Sequence, residues 1–547
     1  MSLRNTFKYI FREKPIEFFE WGVAILLGVV IASLHVLNMN HAGGLWRDEV
    51  VSFNVATCSS LTQVFEFLRF DSFPILFHLV VRLWVWIGPG TSDAGLRLLG
   101  CFIGAGILIA LWINARSVYN GLPFFSMALF GLSPLAIRLG DAMRAYGLGT
   151  LFLLLTFVLL WHLSQSPSPG KLTLAIFTAV LSANSLYQNI VLLFAIVVGA
   201  MAVALRHMQW KRLIAIGIVG LSGALSLLPY VRIFEYLHDD KEVIPQGVDI
   251  RDLLVGFGSA LSGAGTVVVL VWICLLVAAL CLAVMIQSNP TESVRARDLS
   301  LYSGVSMTVG TIVSLAWLRV VNVPVQAWHY LPLLGLLGVA LDTILQRDSI
   351  NSAWRIARLV CIAAVAGISL VKAVPGAKIR HTNVDLIAEY LTRTVEPDDF
   401  VLVNPWHTGA TFSRYYYGAA AWGSLPTLDD PRFQRLDLLK KQMAIPHPIA
   451  GVLGQMSKTL KSGHRVWIAG TLPSLQAGQQ PPLIPDPPNT PWRWHYDRYT
   501  TAWGLQAAYL LQRSAGQCIA IPLAEDKNVS PYEEGKLFVT FGWRGDL

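Results

Sequence analysis

The chain has 547 residues, of which 54% are hydrophobic and only 14% are charged, and its formal net charge is +8. A typical soluble domain carries about 25% charged residues, so this composition excludes a disordered chain, a secreted disulfide scaffold and an ordinary soluble enzyme. It indicates a polytopic membrane protein. The six cysteines show no metal-ligand spacing.

Apolar segments recur along the first two thirds of the chain. About 20 mostly apolar residues are needed to cross the hydrocarbon core of a bilayer, and eleven segments qualify. They are 20–39, 98–115, 121–138, 146–163, 171–187, 190–206, 212–231, 264–286, 301–319, 326–346 and 355–373. The sequence therefore predicts a membrane domain of about eleven transmembrane helices over residues 1–375.

A twelfth apolar segment, 73–88, is shorter and carries His78 and Arg82. If it does not cross, most basic residues of the later short loops face the same side as the basic N-terminus, as the positive-inside rule requires. We therefore predict an interfacial or re-entrant helix here, within a long first outer loop over about 40–97. The N-terminus is then cytoplasmic, and the net charge of +8 is mostly an orientation signal that gives no reason to expect a nucleic-acid partner.

Residues 376–547 are richer in charge and predict a soluble α/β domain on the outer, periplasmic face of the inner (plasma) membrane. Thr382-Asn383 can cap a helix that runs to about 394. The runs 400–403, 464–470, 517–523 and 536–543 predict strands. The proline-rich stretch 472–491 predicts a long loop. We expect this domain to support or cover the membrane domain.

Adjacent carboxylates follow the first predicted span, in Leu45-Trp46-Arg47-Asp48-Glu49. Carboxylates near a bilayer are costly unless they are paired or metal-bound, and Asp48 could take a proton from a hydroxyl as a general base. The alternative is a solvated first turn of a helix, where acidic residues are favoured for the helix dipole alone.

This segment resembles the start of the first outer loop in the C-type (GT-C) glycosyltransferases, a superfamily that includes protein O-mannosyltransferases and lipid A aminoarabinose transferases. Four further stretches resemble family motifs in the family's order. They are Asp71-Ser72-Phe73-Pro74-Ile75-Leu76-Phe77-His78, Asp93-Ala94-Gly95-Leu96-Arg97-Leu98, Ser133-Pro134-Leu135 with Arg144-Ala145-Tyr146, and Trp328-His329-Tyr330-Leu331-Pro332. Together the resemblances cover about residues 40–335.

The resemblance implies an enzyme that moves a sugar from a polyprenyl-phosphate carrier to an acceptor hydroxyl on the outer face, with inversion. Asp48 is then the expected base, and Glu49 holds Asp48 or its neighbours in place. The residues expected to contact substrate are Asp71, Arg97, Asp141, Arg144, Tyr146, His329 and Tyr330. The sequence names no cofactor, but it leaves room for Mg²⁺ or Mn²⁺ between Asp48 or Glu49 and Asp141.

Several departures and alternatives stay open. Phe73 and Ile75 stand where the family has His and Pro, Ala142 stands where an acid is usual, and His329 replaces a common Arg. Arg97 and Arg144 lie at span ends, where arginine snorkels to the interface regardless of function. The acceptor can be a glycan, a lipid or a protein. A transporter or lipid-linked-sugar flippase and a polymer ligase are the competing functions.

Overall fold

In the computed structural model, the described residues are 3–240, 243–244, 247–322, 324–346, 352–476, 478–489, 494–523 and 528–545. Within them the chain is mostly helical, with one small sheet near its C-terminal end. The helices are α1 Leu3–His41, α2 Arg47–Ala56, α3 Leu61–Phe67, α4 Ile75–Trp86, α5 Asp93–Asn114, α6 Pro134–Gly140, α7 Ala145–Gln165, α8 Pro169–Ser185, α9 Asn189–Arg206, α10 Trp210–Leu225, α11 Val231–Asp240, α12 Ile250–Leu261, α13 Thr266–Ser288, α14 Val294–Val321, α15 Leu331–Leu345, α16 Ser352–Ala377, α17 Val384–Thr394, α18 Gly409–Tyr415, α19 Leu436–Met443, α20 Ala450–Lys461 and α21 Tyr496–Ser514.

Nine helical segments within the described ranges are long and apolar enough to cross a membrane. They are Ile16–His41, Asp93–Tyr119, Ala145–Gln165, Asn189–Arg206, Trp210–Tyr236, Thr266–Ser288, Val294–Val321, Ala327–Leu345 and Ala353–Ala377. The chain is therefore a multi-pass membrane protein. The polar side chains that the membrane part buries are hydrogen-bonded in many places, as between the Tyr302 hydroxyl and the Phe157 carbonyl at 2.6 Å.

Two of the eleven predicted crossings have a different form. The segment 121–138 is divided into a π-helical turn, Ser126–Gly131, and the short helix α6, which begins at Pro134. Asp342 from α15 accepts hydrogen bonds from the Phe125 and Ser126 N–H groups, at 2.7 and 3.1 Å, where this turn begins. The segment 171–187 forms α8, whose 17 residues are at the lower limit for a crossing.

The segment between the first two spans, predicted as the first outer loop over about 40–97, contains short helices and no further span. The apolar stretch 73–88 forms the 12-residue helix α4, which is about 18 Å long at 1.5 Å per residue and too short for a bilayer. Helices α2 and α3 precede it, and α5 begins at Asp93. This loop has the predicted form.

The sheet has five strands in the order β2-β1-β3-β5-β4. The strands are β1 Phe400–Asn404, β2 Ala421–Ser424, β3 Val466–Gly470, β4 Ala515–Ile521 and β5 Leu537–Trp543. Strand β1 pairs in parallel with β2 and β3, whereas β5 is antiparallel to β3 and β4. The predicted C-terminal α/β unit is present, and α17 begins where Thr382 Oγ1 accepts a hydrogen bond from the Val384 N–H, at 3.0 Å.

Apolar clusters cover both faces of this sheet. Leu439, Met456 and Trp503 pack on one face, and Ile387 and Phe412 pack on the other. Strand β1 lies inside the sheet and its first four residues are buried, which explains why its sequence is a continuous apolar run. Strand β2 was not predicted, because Ala421-Trp422-Gly423-Ser424 has neither an apolar run nor a clear alternation.

Candidate functional site

The turn between α1 and α2 lies against the chain that leads into the sheet. Gly43 has a left-handed φ of +69°, and a Cβ atom on it would lie 2.6 Å from the guanidinium carbon of Arg380. A Cβ on Gly44 would lie 2.6 Å from Asp385 Oδ2. Only glycine fits this turn without displacing its neighbours, so the two glycines bring α2 close to the C-terminal part of the chain.

Glu49 is fully buried at the start of α2 and organises this turn. Its two carboxylate oxygens accept hydrogen bonds from Arg97, at 2.6 and 2.9 Å, in a bidentate ion pair. The backbone N–H groups of Trp46 and Met143 donate to the same carboxylate, at 3.2 and 2.8 Å. Burial alone would raise the pKa of Glu49, but Arg97 and His381 outweigh it and hold the pKa well below its usual value.

The Arg97 side chain holds Glu49 and the turn before α2 together. Its side chain is 4% exposed. Besides Glu49 it donates to the carbonyls of Gly43 and Gly44, at 3.1 and 2.6 Å. The guanidinium group therefore ties the N-terminal end of α5 to the turn before α2, 53 and 54 residues away.

Asp48 differs from Glu49 in exposure and partners. Its side chain is 16% exposed. It accepts hydrogen bonds from Arg47 Nε at 2.9 Å and from Gln434 Nε2 of the C-terminal part at 2.7 Å. Burial would raise the pKa of Asp48, but Arg47 and Arg144 hold it below its ordinary value. The carboxylate is therefore ionised at neutral pH.

A second buried carboxylate, Asp71, lies beside the backbone of Asp48. It accepts hydrogen bonds from Ser52 Oγ at 2.6 Å and from Arg144 Nη1, and it lies 2.8 Å from His78 Nε2. Arg144 Nη1 also donates to the Asp48 carbonyl, at 2.9 Å. Three of the predicted site residues, Asp48, Asp71 and Arg144, are thus joined in one network.

The remaining predicted residues lie around this network at varying distance from it. Tyr146 contacts the Phe73 ring, with the ring centroids 5.2 Å apart. The Tyr330 hydroxyl donates to the Leu253 carbonyl at 2.8 Å, and His329 Nδ1 accepts from the Gln326 N–H at 3.2 Å. Tyr330 is buried and its hydroxyl is bound within the protein, so these contacts give it a packing role.

Asp141 is not joined to the two adjacent carboxylates. It lies 2.8 Å from His35 Nδ1 of α1 and accepts a hydrogen bond from Asn38 Nδ2 at 3.3 Å. Because Glu49 faces Arg97 and Asp141 faces His35, the residues present do not fit a divalent cation shared between them. The described ranges contain no group of three or more His, Cys, Asp or Glu side chains placed to hold a metal ion.

A cavity of about 360 Å³ adjoins this network, between the membrane helices and the chain that leads into the sheet. Three aromatic rings line it: Trp46, Trp328 and Tyr532, with centroids 5.2 to 6.4 Å apart. Arg138 and Lys372 also line it, and neither forms an ion pair with a described residue. The cavity thus combines aromatic surfaces with two cations that lack a counter-ion within the described chain.

The sequence did not predict the residues that the C-terminal part of the chain contributes to this site. His381 lies 3.3 Å from Glu49 Oε1, Gln434 contacts Asp48, and Glu533 accepts the Arg47 N–H at 3.1 Å. No spacing relative to residues 46–49 could indicate them. The one cue is the polar run from Arg380 to Asn383, directly after the last span.

No protein-family model matches the sequence, and no curated protein matches it. Solved structures do match its fold. ArnT from Cupriavidus metallidurans in the apo state has 13% sequence identity and a TM-score of 0.52, covering 82% of this chain and 92% of that chain. The same protein bound to undecaprenyl phosphate has 11% identity and a TM-score of 0.50, over 82% and 93%. The apo oligosaccharyltransferase of Archaeoglobus fulgidus has 8% identity and a TM-score of 0.51, over 84% and 70%.

These matches extend over four fifths of the chain at identities far below those that would show a shared substrate. They agree with the helical membrane part followed by a small sheet unit. The chain therefore has the GT-C fold, the fold of the C-type glycosyltransferases that its sequence resembles.

Proposed function

We propose that the protein transfers a sugar from a polyprenyl-phosphate carrier to an acceptor hydroxyl at the outer face of the membrane, with inversion at the anomeric carbon. The shared fold supports this, since ArnT has been crystallised with undecaprenyl phosphate. In this proposal residues 1–375 form the transferase domain. Residues 376–547 form an outer domain, and the N-terminus is cytoplasmic.

The observation that carries the proposal is the cavity with Arg138 and Lys372. A polyprenyl-phosphate sugar needs stabilisation of the phosphate that departs, and positively charged donors provide it best in a site shielded from water. The two cations lie beside aromatic rings, which present flat apolar surfaces suited to a sugar ring. Arg138 is half-buried and Lys372 is exposed, and neither charge is neutralised by an ion pair within the described chain.

Asp48 is the proposed base. It is ionised, partly exposed and two residues from Trp46, which lines the cavity. Glu49 is fully buried and bound by Arg97, so its role is to position the turn that carries Asp48. Asp48 is not among the residues that line the cavity, and Arg47 and Gln434 both donate to its Oδ1, so Oδ2 is the proposed acceptor for the proton of an incoming hydroxyl.

The test uses the full-length protein in liposomes, with synthetic undecaprenyl-phosphate hexoses and pentoses as donors and a membrane extract as the source of acceptor. Asp48→Asn should lower transfer about 10²- to 10⁴-fold, the usual range for loss of a general base. Its thermal unfolding should stay close to that of the wild type. Asp398→Asn, on the exposed side of the sheet part, is the matched control.

Full transfer by the Asp48→Asn variant would overturn the role of Asp48. Movement of the labelled lipid across the bilayer with no new glycosidic bond would instead show a flippase. Mass spectrometry of glycolipids and glycans from cells with and without the protein would then identify the acceptor.

A further inference from the structure

His381 is a buried histidine that the proposed reaction does not yet use. It lies between the last spanning helix, α16, and α17, where the membrane part meets the sheet part. It is 4% exposed. Its backbone N–H donates to the Ala42 carbonyl at the end of α1, at 2.8 Å. The position of the ring is therefore set by both parts of the chain.

Glu49 orients the imidazole ring. His381 Nδ1 lies 3.3 and 3.4 Å from the two carboxylate oxygens of Glu49. A carboxylate bound by Arg97 is ionised and can only accept hydrogen bonds, so the ring hydrogen is on Nδ1. Burial lowers the pKa of His381 to about 4, so the ring is neutral at neutral pH. Nε2 then carries a lone pair.

That lone pair has no hydrogen-bond partner within the described chain. His381 lines the cavity together with Trp46, Arg138, Trp328 and Tyr532. Buried polar atoms in folded proteins are almost always satisfied by protein, water or ligand. A buried acceptor without a partner, in a residue that lines a cavity with two cations outside any described ion pair, indicates that a ligand completes its bonding.

We infer that His381 Nε2 accepts a hydrogen bond from a hydroxyl group of the substrate in this cavity, so that the segment leading into the C-terminal part supplies a substrate-binding residue. The inference rests on the proposed function and names the group that recognises its substrate. A neutral imidazole lone pair repels an anionic phosphate oxygen and attracts a hydroxyl. Within one cavity, Arg138 and Lys372 suit the phosphate, and His381 suits the sugar or the acceptor alcohol.

The hydroxyl group can come from the donor sugar or from the acceptor, and measurements of lipid binding distinguish these two sources. The probes are undecaprenyl phosphate and undecaprenyl-phosphate glucose, titrated onto full-length wild type, His381→Phe and His381→Gln in liposomes. His381→Phe removes the acceptor atom and keeps a ring of similar size. In His381→Gln the amide oxygen can still accept. His207→Phe is the matched control, because it breaks a histidine–carboxylate pair with Asp298 at the opposite end of the membrane part.

If the donor sugar supplies the hydroxyl, His381→Phe should weaken binding of undecaprenyl-phosphate glucose about tenfold and leave undecaprenyl phosphate unchanged. A tenfold loss corresponds to about 1.4 kcal/mol. If the acceptor supplies it, neither lipid should bind more weakly, and the KM for the acceptor should rise about tenfold in the transfer assay. In both cases His381→Gln should recover much of the loss, which a purely structural role would not predict.

Equal binding and equal transfer by wild type and His381→Phe would overturn the inference and leave the proposed function standing. Equal weakening of both lipids, without rescue by His381→Gln, would also overturn it, because it would show that the ring only supports the fold. A wild type that neither binds nor turns over any donor would overturn the proposed function, and the inference with it.

Discussion

The two ends of the first spanning helix each hold a buried glutamate with basic partners, and they use it differently. At its N-terminal end, Glu20 pairs with Arg355 and Arg358, which lie on a single helix, α16. Just beyond its C-terminal end, Glu49 contacts groups from four segments, namely its own helix N-terminus, Arg97, the Met143 N–H and His381.

The two clusters differ in the kind of group that they leave without a partner. The Glu20 cluster joins two helices and leaves a donor, Arg358 Nε, without a described partner. The Glu49 cluster leaves an acceptor, His381 Nε2, without a described partner, and two cations outside any described ion pair line the same cavity. An unpaired acceptor beside cations and aromatic rings is where a hydroxyl-bearing substrate is expected.

The largest expected effect concerns the partner of Glu49. Arg97→Met would leave a fully buried carboxylate without its bidentate partner, which costs about 3–5 kcal/mol. Arg355→Met is the matched change at the N-terminal end, where Arg358 still pairs with Glu20, so we expect a smaller loss than in Arg97→Met. Thermal unfolding in detergent, followed by tryptophan fluorescence, measures both. Equal losses would show that the two clusters do the same work.

A smaller effect, dependent on pH, is expected at Glu533. This buried carboxyl accepts hydrogen bonds from the Arg47 N–H and the Thr411 hydroxyl, but burial outweighs its partners and raises its pKa to about 7. The native state therefore holds a proton that the unfolded chain, with a pKa near 4.5, loses earlier. Stability from this group is complete below pH 4.5 and falls as the pH rises to 7, by at most about 1.4 kcal/mol per pH unit.

Glu533→Gln should remove this slope. The variant should match the wild type near pH 4.5 and unfold at a higher temperature near pH 8. Glu534→Gln changes the exposed neighbour and serves as the control, with no change in slope expected. A wild-type slope that survives in Glu533→Gln would assign the pH dependence to another group.

The same comparison shows which features of the fold can be predicted from the sequence. Apolar run length is enough to find the helices, and the four residues Phe400–Val403 indicate a buried strand because the whole run is apolar. The length of an apolar run gives no information about Asp342. Its carboxylate, 216 residues away in sequence, binds the N-terminal end of the π-helical turn in 121–138. That segment was therefore predicted as one continuous span.

The candidate site shows the same limit. Asp48 and Glu49 stand out because they are adjacent and follow a span, and Arg97 is found through the resemblance of its motif. Their separate roles depend on burial, 16% exposure for Asp48 and none for Glu49, which adjacent positions in a sequence do not reveal. His381 and Gln434 reach the site only through the packing of the sheet part, and their neighbours in sequence carry no matching signal.

The smallest effect tests the contact between the sheet part and Asp48. Gln434 Nε2 donates to Asp48 Oδ1 at 2.7 Å and helps to keep the carboxylate ionised. Gln434→Ala should raise the pKa of Asp48, because it removes a hydrogen bond to the ionised carboxylate. Because a general base acts in its ionised form, the acid limb of the kcat/KM profile should move to higher pH. Gln455→Ala, on the exposed side of α20, should leave the limb in place.

An acid limb that stays fixed in Gln434→Ala would mean that this limb does not report the ionisation of Asp48. The carboxylate bound by the sheet part would then not be the group that takes the proton, and the neutral His381 ring would be the next group to test for that role.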